Sequence, residues 1–553
     1  MLKRRQFVLN LVAVAAGTKA LRAQQGESPH PTHWRVEGHS MARRSPILDA
    51  SGFHKYVEYF NGMAPEDIDT YIPNDLSWQW MSENIPYFAC SDRQLEETYY
   101  YRWWAYRKAI KQTRKGFIVT EFLKPVKHAT EFNALSCAFG HHSAEGRWLH
   151  DPKYIDEYTA FWLKSGPGGG LQPRLHQFSG WVAAAVYERW CVAGDTKFLL
   201  SLLDSLVLDY QTWEHERQLP NGLFWQRDVA DGMESSISGG RKVRNMRPTI
   251  NSYMYGNACA IKAIADCASR QDLAAEFSAK ARRLRELIQG HLWNKQAGFF
   301  ETVLESGAMS GVREEIGFIP WYFHLPEAGK GYERAWDQLM SNKGFRAPYG
   351  LTTAEQRDPR CRIVYGGDDC QWNGPVWPFA TTQTLTALSN VLNDYQQDVV
   401  SKEDYFATLI TYAQSQILQL PDGRRIPWID ENLDPFTGEW IARQRKIDKG
   451  TFYGRGDHYN HSCFADLIIT GLVGLRPRPD EVIELNPLLP DNKWEWFCLD
   501  NVLYRGHIIS VVWDRAGTKF DRGAGLTLFV DGNLAGQSPG LGRLKAKLGK
   551  LPA

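Results

Sequence analysis

At 553 residues the chain exceeds the usual single-domain length, which predicts one large domain with smaller additions. Its composition, 43% hydrophobic and 23% charged, is that of an ordinary globular protein, and a net charge of +1 excludes a whole-molecule field that would attract nucleic acid or an anionic membrane. The unusual quantity is aromatic: 21 Trp, 24 Tyr and 26 Phe supply either a core of large side chains or platforms with a polar edge, the kind that suit sugar rings.

The chain opens on a charged Lys3-Arg4-Arg5, a short apolar run from Leu11 to Ala16, and small residues near Ala23. This is the pattern of an export signal over residues 1–23, and Arg4-Arg5-Gln6-Phe7-Val8-Leu9 resembles a twin-arginine signal. It predicts a periplasmic or secreted protein with no membrane segment in its mature form, since no later stretch has about 18 consecutive apolar residues. Residues 24–90 are rich in Pro, Asp and Trp without clear period and read as an irregular or β-containing lead-in. At Ser91 a capping box with Gln94 opens the first helix. Helical segments follow at 91–112, 128–139, 152–164, 179–193, 197–216, 248–269, 272–292, 330–341, 376–393, 402–418 and 462–474. The pattern is cleanest in 272–292, where Leu273, Phe277, Ala281, Leu284 and Ile288 recur every three or four residues. Ala193-Gly194-Asp195-Thr196 closes one helix and opens the next.

So many helices with no strands between them exclude a parallel α/β sheet. An open solenoid would carry a repeat of roughly 34 to 47 residues, and none is visible. The expectation is therefore a mainly α fold: an (α/α)6 barrel over 91–479, with long loops on one face carrying a site. From about Leu485 the sequence alternates like strands, and Asp531-Gly532 marks a hairpin turn, so 480–553 reads as a small C-terminal β domain. The nine cysteines show no C-x-x-C spacing and no His-rich neighbourhood, which argues against a zinc site. No metal or cofactor is expected, and Cys361 with Cys370 is the pair to check for a disulfide.

Three loops carry carboxylates among aromatic and turn residues. The first holds Asp228, Asp231 and Glu234 and leads to Arg247, Asn251 and Tyr255. The second holds Asp368, Asp369, Gln371, Trp372, Asn373 and Trp377; the third holds Trp428, Asp430, Glu431, Asp434 and Glu439, followed by His458, Asn460 and His461. Hydrolysis of a glycoside needs two carboxyls, one protonated to donate to the leaving oxygen and one ionised to activate water or attack carbon. A carboxyl set among Trp and Met has its pKa raised, which suits the acid. A single Glu in such a loop is more often a hydrogen-bonded structural group, so the set matters more than any member.

In this order the three loops resemble the six-hairpin glycosidases of the mannosylglycerate hydrolase, processing α-glucosidase and trehalase type. Gly232-Met233-Glu234-Ser235 resembles their G-M-D-N/D segment, and Arg247-Pro248 with Asn251 and Tyr255 the helix after it. Gln371 to Pro378 resembles Y-W-R-G-P-I/V-W, Glu431 to Gly438 resembles E-Y-F-D-P-x-T-G, and Ser462 begins the final helix; the likeness covers roughly residues 90–475. It implies an inverting hydrolase of an α-linked glucoside, mannoside or related saccharide, with Glu234 as general acid and Glu431 as general base. Inversion calls for carboxyls roughly 6.5–9.5 Å apart, leaving space for a water. One departure is that the family acid is normally Asp, which leaves Asp231 as an alternative; Asp430 and Asp369 are the alternatives to Glu431. Trp372, Trp377, Trp428 and Tyr255 are candidates to border the sugar, and Gln371, Asn373, Arg247, Asn251 and Asp231 to bind its hydroxyls. Core packing is the competing account of the tryptophans, and Trp377 is evenly poised between the two.

Outside the resemblance, Arg241, Lys242, Arg244 and Arg247 put four cations on the acid loop. The plain reading is a solvated run; the sharper one is contact with an acidic sugar or aglycone. Two other functions remain open on the residues. A polysaccharide lyase would draw on His141, His142 and the arginine loop, and a non-catalytic carbohydrate-binding protein would have no use for both glutamates.

Overall fold

The computed structural model describes residues 47–63, 66, 68, 70–365, 370–443 and 456–549. The export signal expected over 1–23 lies outside the described residues, as does Asp369. Twelve α-helices are described: α1 His54–Met63, α2 Ser77–Asn84, α3 Arg93–Ala109, α4 Phe139–Gly146, α5 Lys153–Lys164, α6 Val182–Ala193, α7 Thr196–Arg217, α8 Pro248–Cys267, α9 Gln271–His291, α10 Ile319–Tyr322, α11 Pro378–Asp394 and α12 Lys402–Ser415.

Burial contrasts α9 with α8, while α3 is buried from Thr98 to Ala109 beneath the lead-in helices. On α9 a single stripe is buried (Ala274, Phe277, Ala281, Leu284, Ile288), as expected of a helix with one face to solvent. On α8 every residue from Pro248 to Ala258 is buried, the mark of a helix with neighbours all round. Each large apolar side chain so buried, such as Phe277 at 0% exposure, contributes about 1.5–3 kcal/mol. The inner helices pack in sequence: α4 on α6, α6 on α8, α8 on α10, α10 on α11, and α11 on a closing π-helical turn, Leu467–Leu472. The ring closes because the Glu145 carboxylate, on α4, accepts the backbone N–H groups of Phe464, Ala465 and Asp466 at 2.9–3.2 Å. Arg147 and Trp148 then donate to Asp466 at 2.7 Å. The outer layer is α3, α5, α7, α9, the 3-10 segment Tyr332–Gln338 and α12. Six inner and six outer elements in alternation make an (α/α)6 barrel. Gly256 on α8 marks a close approach, where a Cβ would fall 2.2 Å from the Phe323 ring.

Beyond the barrel is a small β unit. A five-stranded antiparallel sheet runs in the order Tyr87–Cys90, Trp496–Tyr504, His507–Asp514, Gly525–Val530, Asn533–Ser538. The expected hairpin is there: Val530 pairs with Asn533 across Asp531 (φ 50°) and Gly532 (φ 74°), two positive φ values in a row that suit a type I′ turn. Its first strand comes from the lead-in, Tyr87 pairing with Asp500 and Cys90 with Phe497.

The structure corrects several local expectations. The lead-in contains two helices, α1 and α2. Asp92, rather than Ser91, caps α3, its carboxylate accepting from Gln94 N and Leu95 N at 3.0 Å. The helix expected at 128–139 starts only at Phe139, because Thr130 (φ 59°) and Asn133 (φ 52°) take left-handed conformations. Asn133 spends its amide on Phe122 O and Val126 N, which holds that segment as a loop. The segment expected as helix over 330–341 is the shorter 3-10 element already placed in the outer layer. All nine cysteines are free thiols, so Cys361 and Cys370 are not joined.

Candidate active site

One end of the inner ring collects every loop singled out by the sequence. Cys137 precedes α4, Trp181 precedes α6, Arg247 precedes α8, Trp377 precedes α11, and His461-Ser462 precede the closing helix. The loops are tied together by backbone. Trp372 N donates to Glu234 O at 3.1 Å, and Val376 and Leu433 exchange both hydrogen bonds at 3.0 Å. Cys370 Sγ lies 3.9 Å from Glu431 Oε2, so all three carboxylate loops meet at one mouth.

The tryptophans of these loops are buried beside the carboxylates, Trp372 and Trp428 at 3% exposure and Trp377 at 2%. Trp372 stacks on Trp377 with centroids 4.6 Å apart, and His461 meets Trp377 at 5.7 Å. Trp377 Nε1 donates to Gln371 O at 2.6 Å, while the Gln371 side chain closes its own loop through Val364 N and O. Trp428 lies under the Arg443 guanidinium at 4.2 Å and beside His458 at 4.3 Å. Among the described residues, Trp372 Nε1, Trp428 Nε1 and Asn373 Oδ1 are buried polar atoms without a hydrogen-bond partner. A native protein seldom leaves such atoms orphaned unless something else completes them.

The carboxylates sit in contrasting places. Asp231 is fully buried and committed: Arg247 Nε lies 2.6 Å from its Oδ2, and Thr249 Oγ1 donates to the same oxygen. Glu234 is part-exposed, on a tight loop between Gly232 (φ 73°) and Ser235 (φ 63°). Glu431 is 1% exposed and Asp430 0%, and Asp430 Oδ1 accepts from Glu431 N at 2.8 Å. The chain returns past them at Gly456, where a Cβ would fall 1.8 Å from Asp430 Oδ1, so no other residue fits there.

A third carboxylate, Glu121, escaped the sequence reading. It follows the strand Gly116–Val119 and is 5% exposed. Tyr459 donates its hydroxyl to Oε1, Cys137 Sγ lies 3.2 Å from Oε2, and Asn460 N donates to the Glu121 carbonyl at 3.0 Å. Burial pushes the Tyr459 hydroxyl well up, with Glu121 and Glu431 adding to it. Burial does the same to Cys137, reinforced by Glu121 and Glu234. Both groups thus stay protonated donors. Glu121 is the bridge in a line that runs from Glu234 through Cys137, Glu121 and Tyr459 to Glu431. No local motif announces it.

Besides Asp231 and Gln371, three more residues expected to hold sugar hydroxyls or border the ring are engaged elsewhere. Arg247 is 0% exposed and pairs with Asp231. Asn251 spends its amide on Phe224 N, Phe224 O and Arg247 O, all at 2.8 Å. Tyr255 turns toward α9, where Arg285 donates to its hydroxyl. The histidines are inward-facing: His142 Nε2 contacts Asn460 O at 2.6 Å and its Nδ1 Tyr158 Oη at 3.2 Å, and burial pulls its pKa down to about 4. His458 Nδ1 meets Tyr101 Oη at 2.8 Å. His142 and His458 are thus satisfied interior histidines, whereas His141 Nε2 and both ring nitrogens of His461 are buried without a hydrogen-bond partner among the described residues.

Comparison with known proteins agrees with the fold. Residues 131–462, more than half of the chain, match the mannosylglycerate hydrolase MGH1-like glycoside hydrolase domain, and residues 475–535 match the C-terminal domain of glycosyl hydrolase family 65. Among solved structures, one described as a sialidase is 47% identical with a TM-score of 0.85, covering 90% of this chain and 45% of that one. This chain therefore spans less than half the length of that relative. A GH78 family rhamnosidase of Bacillus sp. GL1 shares 12% identity with a TM-score of 0.53, over 80% of this chain and 41% of its own, a likeness of fold alone. With its barrel closed, its carboxylate loops brought together and more than half of its length matched, the chain belongs to the MGH1-like glycoside hydrolase family.

Proposed function

We propose that the chain hydrolyses an α-linked glucoside, mannoside or related saccharide with inversion, Glu234 acting as general acid and Glu431 as general base. What carries the reading is the meeting of the Glu234 and Glu431 loops at one mouth, through Trp372 N to Glu234 O and Cys370 to Glu431. Glu234 is favoured over Asp231 on access: a buried carboxylate held by Arg247 and Thr249 is out of reach of a leaving oxygen. Asp430 holds the Glu431 backbone from behind, which suits a positioning role. Glu121 is inferred to keep Tyr459 and Cys137 oriented between the two glutamates. Trp372, Trp377 and Trp428 offer the apolar wall, and the unpartnered atoms of Trp372, Trp428 and Asn373 are groups a sugar hydroxyl can complete. The name of the longer relative is not carried over, because its match leaves more than half of that protein uncovered. Export through the Arg4-Arg5 leader belongs to the same proposal, and a mature N-terminus near Gln24 in protein recovered outside the cytoplasm is its check.

Leaving-group dependence separates the two roles. Glu431→Gln is expected to lower kcat about 10²–10⁴-fold on every substrate. Glu234→Gln should lose comparably on saccharide leaving groups but far less on dinitrophenyl glycosides, whose leaving oxygen needs no proton. Equal losses on both leaving groups for Glu234→Gln would remove it from the acid role.

A further inference from the structure

Beside the acid loop, one indole gathers three guanidinium groups. Trp225 is 9% exposed, with Arg217 and Arg244 each 4.7 Å from its ring and Arg227 at 5.9 Å. Stacking of an arginine on an aromatic face is common, but three like charges around one ring repel one another unless something negative joins them. Among the described residues the counter-charge is thin. Glu216 reaches Arg217 only at 3.9 Å and is shared with His176 at 3.8 Å, while Glu305 is occupied with the Arg244 backbone N–H at 3.2 Å. Arg217 Nε is a buried donor with no hydrogen-bond partner. Burial lowers the Arg217 pKa, Glu216 works against this, and Arg227 and Arg244 lower it further. Arg227 and Arg244 remain exposed, so the donors face incoming solute.

The cluster borders the candidate site. Arg227 leads directly into the 3-10 turn Asp228–Asp231 that precedes Glu234, and Gln226 forms an isolated bridge with Asn245, the residue after Arg244. We propose that Trp225 with Arg217, Arg227 and Arg244 forms an anion-binding subsite that takes the carboxylate or sulfate of an acidic saccharide, the Trp225 ring bracing the arginine planes. The fork of an arginine matches a carboxylate or a sulfate with two parallel hydrogen bonds, and three forks set the charge preference. This rests on the proposed function, since it names the class of saccharide that the same mouth receives.

The test is binding, measured calorimetrically on Glu431→Gln so that turnover does not interfere, with wild type run for kinetics alongside. The probes are a uronic-acid oligosaccharide, its carboxyl-reduced counterpart and a sulfated oligosaccharide of similar size. The uronate is expected to bind at least about tenfold tighter than the reduced form, with the preference falling as salt is raised. Arg244→Ala and Arg227→Ala are each expected to remove most of that preference, and the double variant all of it, leaving affinity for the reduced oligosaccharide and the melting temperature unchanged. Arg227→Lys and Arg244→Lys should restore charge preference only in part. A preference for the sulfated probe alone assigns sulfate as the group held. Equal affinity for the uronate, sulfated and reduced probes, or a preference that survives the double variant, overturns the subsite. If instead Glu431→Gln still hydrolyses substrate, the base assignment fails while the binding result stands on its own.

Discussion

Asp231 and Glu234 lie three residues apart on one loop, and their surroundings give them different tasks. Asp231 and Arg247 are both essentially unexposed and face each other at 2.6 Å. Removing one partner of a buried pair strands the other, so Asp231→Asn is expected to cost about 3–5 kcal/mol in chemical denaturation. Its residual activity should show no special dependence on leaving group, unlike Glu234→Gln. His142 supplies a pH-dependent counterpart. Burial holds its folded pKa at about 4, below the ordinary histidine value of 6.5, so the unfolded chain takes up the proton first. Its contribution is therefore intact above pH 6.5 and is lost as pH falls toward 4, amounting to about 3 kcal/mol across that window. Denaturation of His142→Asn against wild type should show a flatter decline between those limits; parallel curves would remove His142 as the cause. Glu234 and Glu431 were legible in sequence because turn residues and tryptophans frame them locally. Glu121 was not, because its meaning depends on Tyr459, 338 positions further on.

At the scale of elements, the closing helix depends on a single side chain. Three backbone N–H groups at its start converge on Glu145, doing from another helix what a capping residue does locally. Glu145→Ala leaves three buried donors without partners, and its expected cost is at least about 3 kcal/mol. Hydrogen exchange should speed selectively across 464–472, while a uniform change over the whole barrel would argue against a local capping role. Elements with a strong period and local caps, such as α7 after Gly194-Asp195 and α9, were readable to within a residue or two. The start of α4 was not, because Thr130 and Asn133 break a helix-compatible composition through backbone conformations that only long-range hydrogen bonds hold.

At the scale of the whole molecule, the β unit is stitched to the start of the chain. The strand Tyr87–Cys90 is at most 8% exposed at any residue and pairs along its length with Trp496–Tyr504. Ending the chain at 480, where the sequence changes character, would bare that strand as a hydrophobic edge. The truncated protein is expected to aggregate, and recovery of a soluble monomer with native helicity would contradict the account. The sequence alone carried most of the barrel helices, though not α10 Ile319–Tyr322, together with the absence of a repeat and the ordered loops, which pointed to a closed helical barrel. It could not carry the pairing of segments 400 residues apart. The central claim, an inverting hydrolase with Glu431 as base, is tested most directly by a proton NMR time course on α-glucosides, α-mannosides, rhamnosides and uronic-acid oligosaccharides, comparing wild type with Glu431→Gln. The account predicts that the first sugar released has the opposite anomeric configuration to the bond cleaved, and that the signal vanishes in the variant. Release with retained configuration, an unsaturated uronate product, or undiminished turnover by Glu431→Gln would contradict it.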